Sequence, residues 1–234
     1  MRIVDVAEVD CAFEPQPWGF AADRAADIAA HWAEQVRRKP ALFNGRVLLM
    51  HRGAVEHDAD GELRFRGAYL EADFKAFLAW RDFGAPPAGI RNGFGMAALS
   101  SADGAFVLGE MAAHTANAGR IYFASGTPDP TDIVDGRVDI EGSVRRELDE
   151  ETGIGADEVT FDPGMTLVID DLRVGFMKRV RSPLLATELV ERIHAFLARD
   201  TNPELARMHI VRRPADIAPQ VQSSCAAYLR SRFT

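Results

Sequence analysis

A chain of 234 residues, 47% hydrophobic and 26% charged, has the make-up of an ordinary globular protein, long enough for one large domain or a domain with a smaller companion. Its formal net charge of -8 argues against a nucleic-acid-binding surface or a polybasic membrane patch, and a protein of that sign that handles a polyanion needs a cation to reverse the local field. Cys11 and Cys225 have no metal-ligand spacing and read as free thiols of a reducing compartment. With acidic residues near the amino terminus and no apolar run of membrane-spanning length, a cytoplasmic location is expected.

From about Phe20 to Arg38, Ala25, Ile28, Ala29, Trp32 and Val36 recur at helical spacing and Pro40 ends the pattern, which predicts an amphipathic core helix. Val47 to Met50 predicts a buried strand, Asp58 to Gly61 a turn, and Leu63, Phe65 and Tyr69 an alternating strand, together a hairpin. Between Tyr69 and Phe83 a helical face carries Phe74, Phe77 and Leu78, and residues 84–89 read as a linker. The expected division is therefore a smaller α+β region over 1–90 and a second domain over 91–234.

In that second domain Met96–Ser100 and Ala105–Met111 predict strands about a turn at 101–104, and Arg120–Ser125 a third. Val159–Ile169 and Val174–Val180 predict further strands joined at Asp170-Asp171. Leu185–Ala198 predicts a helix with Leu189, Ile193, Phe196 and Leu197 inward, followed by a short strand at Met208–Val211 and a closing helix over Ala218–Phe233.

The informative stretch is Arg146-Glu147-Leu148-Asp149-Glu150-Glu151-Thr152-Gly153-Ile154. As a helix it projects Glu147, Glu150 and Glu151 from one face within a turn. Like charges so spaced cost roughly 0.2 to 0.5 kcal/mol per pair, which invites a compensating cation, and carboxylates alone suit a hard ion such as Mg²⁺ or Mn²⁺. Val144 and Leu148 form an apolar stripe beside the acids, Gly153 can take the left-handed stop, and Arg146 can hold Glu150 one turn on.

Arg-Glu-Leu-x-Glu-Glu-x-Gly-Ile resembles the second half of the Nudix box, the signature of hydrolases that cleave nucleoside diphosphates linked to another group. The family's first half asks for Glu where this chain has Val138 and for Gly where it has Asp132. Gly126 can serve as that glycine if the loop before the helix is longer, because Ser125-Gly126-Thr127-Pro128-Asp129-Pro130 is similar to the run that opens an extended box in UDP-sugar-hydrolysing members. In that register Asp135, Asp139 or Glu141 stands in for the absent carboxylate. Trp32, the segment Lys39 to Gly45, and Tyr69 to Phe83 also resemble the region preceding the catalytic domain in those relatives.

The resemblance implies an α/β (α+β) fold, a Nudix-type α/β/α sandwich with a mixed sheet preceded by the smaller α+β part. It implies Mg²⁺ (or Mn²⁺) held by Glu147, Glu150 and Glu151, with Arg146 supporting them and Glu150 or Glu151 taking the proton of the attacking water; Asp170 and Asp171 are further candidates for that base. Gly126 and Thr127 of the extended loop, with Arg91 and Asn92 at the start of the domain, are the expected substrate contacts. The activity implied is pyrophosphate-bond hydrolysis, with a UDP-sugar as first substrate, giving UMP and a sugar 1-phosphate. ADP-ribose or another dinucleotide is the alternative substrate, and a catalytically silent nucleotide-binding module is the alternative class. The expected partner is a small-molecule nucleotide rather than nucleic acid or membrane, and a homodimer is left open.

Overall fold

The computed structural model describes residues 1–115 and 117–233. In chain order its first elements are β1 (Arg2–Val6), β2 (Glu8–Phe13), α1 (Gly19–Asp23), α2 (Ala25–Arg38), β3 (Arg46–His57), β4 (Leu63–Asp73), α3 (Phe74–Asp82), β5 (Asn92–Ser100), β6 (Phe106–Met111), β7 (Ile121–Tyr122) and β8 (Ser125–Gly126). A 3-10 turn at Pro130–Asp132 leads into β9 (Ile133–Val134), β10 (Arg137–Val138) and α4 (Ile140–Thr152). The chain continues through β11 (Thr160–Phe161), β12 (Met165–Ile169), β13 (Arg173–Arg181), α5 (Ala186–Leu197), β14 (Leu205–Val211), a second 3-10 turn at Pro214–Asp216, and α6 (Ser223–Arg232).

These elements make the expected α+β architecture with mixed sheets. Among the described residues one sheet has nine strands, ordered β1-β12-β13-β5-β6-β14, with β11 on β13, β7 on β6 and β8 on β5. Within it β13 and β5 run parallel, while β12 pairs antiparallel with β13. The second sheet is β3-β4-β2-β10-β9, in which β2 and β4 are parallel. A core cluster that includes Leu48, Phe65, Tyr69, Val138, Leu167 and Phe176 joins residues of both sheets. Strand pairing crosses residue 90 in both directions: β1 lies on β12, and β10 lies on β2.

The hairpin forms as its pattern predicts, with Asp58 Oδ1 accepting from the backbone N–H groups of Asp60 and Glu62 and Gly61 at φ +83°. Its second strand runs on to Asp73, paired with Arg46, so the residues from Tyr69 to Asp73 are strand and the helix starts only at Phe74. The first helix is two, broken at Arg24 (φ -111°), and Ile28 alone is buried on α2. The strand expected over 159–169 is divided by Asp162-Pro163-Gly164, with Gly164 at φ +64°. The strand expected over 120–125 survives as the two short pieces β7 and β8, and the closing helix starts at Ser223 rather than Ala218. Strands β1 and β2 are additions to the sequence reading; their partners β12 and β4 lie far along the chain, so no local signal announces them.

Candidate active site

Helix α4 is seated by its own sequence. Asp139 caps it, its Oδ1 accepting from Gly142 N at 2.8 Å. Val144 and Leu148 are fully buried, as the stripe predicts, and Gly95 of β5 lets the helix settle: a Cβ there would stand 2.5 Å from Val144 Cγ2. Gly153 ends the helix at φ +68°, its N–H donating to Asp149 O at 2.7 Å, and Ile154 beyond it is buried. Arg192 of α5 donates to Gly153 O at 2.8 Å, and a Cβ at Gly153 would stand 2.3 Å from the Phe196 ring, so α5 closes tightly over the end of the acidic helix.

The acidic face therefore looks into a cavity of about 200 Å³ lined by Glu147, Glu150, Glu151, Phe196, Leu197, Asp200, Pro203 and Glu204. Among the described residues no Lys, Arg or His lines it. Burial pushes the Glu147 carboxyl up to about 7, against the attraction of Arg146 and helped by the charges of Glu150 and Asp132. Burial likewise drives Glu151 well above the carboxylate range, with the Glu147 charge adding to it; only Ser125 N, donating to Glu151 Oε1 at 3.2 Å, works in the opposite sense among its hydrogen bonds. The geometry places acids where their own charge is disfavoured, which is the condition a cation relieves.

Arg146 organises the outer side of this face. Its Nη1 lies 3.0 Å from Glu147 Oε1 and 3.1 Å from Glu150 Oε2, the second contact being the one its spacing predicts. Its Nη2 lies 3.1 Å from Asp132 Oδ2, and the buried Asp132 carboxylate also accepts from Asp129 N at 3.0 Å. Asp132 is thus the acid that anchors Arg146, while the three acids expected as stand-ins, Asp135, Asp139 and Glu141, lie elsewhere. Asp135 is exposed on the β9–β10 turn, Asp139 caps α4, and Glu141 is paired with Lys178 at 2.5 Å and Arg145 at 2.6 Å. Val138 sits on β10 with 4% exposure in the apolar cluster between the sheets, where a carboxylate would be stranded.

Of the expected substrate contacts, Gly126 is the nearest to the acids. A Cβ on it would stand 2.0 Å from Glu147 Oε1, so glycine is what allows the loop and the carboxylate to meet. Thr127 Oγ1 donates to Asn92 Oδ1 at 3.3 Å, tying the extended loop to the head of β5. Arg91 is not with them: it lines a separate cleft of about 550 Å³ with residues including His51, Arg52, Trp80 and Asp171. Asp170 is committed to its own turn, accepting from Leu172 N and Arg173, so neither Asp170 nor Asp171 lines the acidic cavity.

Asp200 and Glu204 are the cavity acids that the sequence reading missed. Both follow α5 in an irregular stretch where no motif or period marks them, and they reach α4 through the fold: Glu204 O accepts from Ala112 N at 2.8 Å at the head of β14. No three His, Cys, Asp or Glu side chains among the described residues converge closely enough to hold a metal ion. Arg146 lies between Glu147 and Glu150, and Glu151 faces inward beside them. The donor set is nonetheless all oxygen and bears excess negative charge, which fits a hard cation that completes its shell with water and substrate phosphate rather than with a full cage of protein ligands.

No helix among the described residues is long and apolar enough to cross a membrane. No family model matches the chain, and no curated protein matches its sequence. Among solved structures the chain is similar to RenU, a Nudix hydrolase from M. smegmatis, at 16% identity over 61% of this chain and 83% of that one, with a TM-score of 0.40. It is also similar to a hydrolase of the NUDIX family from Clostridium perfringens, at 13% identity over 61% of this chain and 96% of that one, with a TM-score of 0.39.

Proposed function

We propose that this protein is a divalent-cation-dependent hydrolase of the Nudix type that cleaves the pyrophosphate bond of a nucleoside diphosphate linked to another group. The observation that carries this reading is the acid-only cavity on the box helix, with Glu147, Glu150, Glu151, Asp200 and Glu204 around it and Arg146 anchored by Asp132. Mg²⁺ or Mn²⁺ bound there would neutralise the diphosphate, acidify its bound water and align that water with the leaving oxygen.

The chain's own residues divide the remaining work. Glu147, Glu150 and Glu151 would hold the cation, with water and substrate phosphate completing its shell. Arg146 fixes the rotamers of Glu147 and Glu150 from outside the cavity. Glu150, paired with Arg146 through Oε2 and with 59% of its side chain exposed, is the acid that accepts the proton of the attacking water, whereas Glu151 is buried and supports the ligand set. Gly126 and Thr127 offer a backbone edge to the phosphates. A UDP-sugar is the first substrate choice, on the resemblance of the Gly126 to Pro130 loop and of the amino-terminal part that packs against it through Leu48 N to Pro128 O at 2.7 Å. The buried free thiols of Cys11 and Cys225 accord with a cytoplasmic location.

The test is release of phosphate-containing products from UDP-glucose, UDP-galactose, ADP-ribose, NADH, coenzyme A and diadenosine polyphosphates, with and without Mg²⁺. Cleavage confined to UDP-sugars is expected. Cleavage of another member keeps the reaction and removes the substrate. In the same assay Glu150→Gln is expected to lose at least about 100-fold in kcat with its fold kept; unchanged turnover would overturn the assignment of the acidic face. Ligand-induced stabilisation with no product from any compound would make the protein a binding module.

A further inference from the structure

The cleft that holds Arg91 shares no lining residue with the acidic cavity, and its volume of about 550 Å³ falls in the range of roughly 300–1,000 Å³ typical of small-molecule sites. Its walls are fixed by hydrogen bonds. Arg91 N donates to Met50 O at 2.7 Å, Arg91 O accepts from Met50 N at 3.1 Å, and Asn92 N donates to Leu172 O at 2.8 Å, so β3, the entry to β5 and the turn before β13 are stitched together around it. Residues 84–89 form a held wall. Trp80 Nε1 donates to Pro86 O at 2.9 Å, Trp18 Nε1 to Ala88 O at 3.1 Å, and Ala85 N to Trp80 O at 2.9 Å. Within this wall Ala85 lies at φ +49°, a left-handed position that a side chain adopts only under strain and that the surrounding bonds maintain.

Arg91 is half-buried, and among the described residues its guanidinium has no ion pair, side-chain hydrogen bond or ring contact. The other charges of the lining are engaged or exposed. Arg52 Nη2 is held by Glu14 Oε1 at 2.5 Å, and His51 Nε2 lies 3.5 Å from Glu14 Oε2, with burial disfavouring its charged form. Among the described residues Asp171 is the one acid of the lining; it is exposed and does not pair with Arg91. Taking a guanidinium partly out of water without a partner is unfavourable, and an anion bound in the cleft relieves it. In a chain of net charge -8 the overall field does not gather anions, so this cation acts locally. Beside it Pro87 and Leu172 expose apolar surface, Leu172 by 41%.

We propose that this cleft is a second ligand site, which binds a phosphate monoester of a sugar or nucleoside: Arg91 takes the phosphate, Pro87 and Leu172 pack on the organic part, and Asp171 accepts from its hydroxyls. A guanidinium presents a planar fork of donors that meets phosphate oxygens in pairs. An anion without an organic part leaves the apolar wall uncovered, and a neutral apolar molecule leaves Arg91 unpaired. The inference stands apart from the hydrolase reading, because none of these residues lines the acidic cavity.

The test is calorimetry with UMP, glucose 1-phosphate and inorganic phosphate on the wild-type chain, Arg91→Ala, Leu172→Ala and Glu150→Gln, with chelator present so that no cation draws phosphate to the acidic cavity. The wild type is expected to bind at least one ester with a Kd below about 1 mM. Arg91→Ala should weaken that ester about tenfold, Leu172→Ala about threefold with inorganic phosphate unchanged, and Glu150→Gln should leave it within about twofold. Tighter UMP assigns the cleft to nucleotides, and tighter glucose 1-phosphate assigns it to sugar phosphates. If Arg91→Ala does not fold, Leu172→Ala, altered at an exposed side chain, carries the test. Binding of neither ester, inorganic phosphate bound as tightly as both, or unchanged ester affinity in Arg91→Ala overturns the site and leaves the hydrolase reading intact. Ester binding that persists in a chain that cleaves no diphosphate supports the site and overturns the hydrolase reading alone.

Discussion

Asp132 and Arg146, 14 residues apart in the chain, meet at 3.1 Å with the Asp132 side chain almost wholly removed from solvent. The pair fixes the loop before α4 to the outer side of the acidic face, because the same guanidinium reaches Glu147 and Glu150. Asp132→Asn removes the charge but keeps the shape. It is expected to cost about 1–3 kcal/mol in urea unfolding and to lower kcat for the cleaved substrate by more than tenfold. A variant with wild-type stability and turnover would show that Asp132 does not anchor the arginine.

The acids impose a pH dependence of definite sign. Glu147 is held at about 7 in the folded protein against an ordinary 4.5, so between those values the folded chain binds a proton that the unfolded chain has lost. Its contribution to stability is complete below about 4.5 and is lost as pH rises towards 7. His51, depressed by burial, acts in the opposite sense near its own range, so the informative quantity is the difference between the wild type and Glu147→Gln. With chelator present, the wild-type stability should fall relative to that variant between pH 5 and pH 8, by an amount on the order of 1–3 kcal/mol, read as a falling Tm. Mg²⁺ at pH 8 should recover the loss in the wild type and less of it in the variant. A pH-independent difference would remove the buried charge from the account.

Gly126→Ala tests the close approach of loop and carboxylate. The added methyl would stand 2.0 Å from Glu147 Oε1, and since Gly126 does not need a positive φ, the backbone itself accepts alanine. Glu147 must swing away from its place. The expected outcome is a Tm within about 3 °C of wild type with kcat reduced by 10- to 100-fold, read from thermal unfolding and the product assay. Full turnover would mean that Glu147 does not act from its observed position.

Val138→Glu puts a glutamate at the position where the resembled motif has one and should nevertheless harm the protein. Val138 is 4% exposed among Cys11, Phe65, Ile140 and Phe176, so a glutamate is buried without a partner. The expected cost is about 2–4 kcal/mol, seen as a fall in Tm of roughly 5–15 °C, with no gain in kcat. A gain in turnover would show that the longer-loop register is wrong.

These outcomes separate what the sequence by itself determined from what tertiary structure decided. Helix α4 is written locally: the spacing of Val144 and Leu148, the Gly153 stop and the reach from Arg146 to Glu150 all lie within a turn or two of helix, so their periods identify the element and its acidic face. The β3–β4 hairpin is legible for the same reason, since its register follows from one short turn. The partner of Arg146, the burial of Val138, the joining of Asp200 and Glu204 to the cavity and the pairing of β1 with β12 depend on segments meeting across long stretches of chain. Such meetings are selected by the packing of two sheets about a shared core, where each contact is favourable only once the others exist. A period of two or 3.6 residues carries information about a face, and that face acquires neighbours only when the whole core closes.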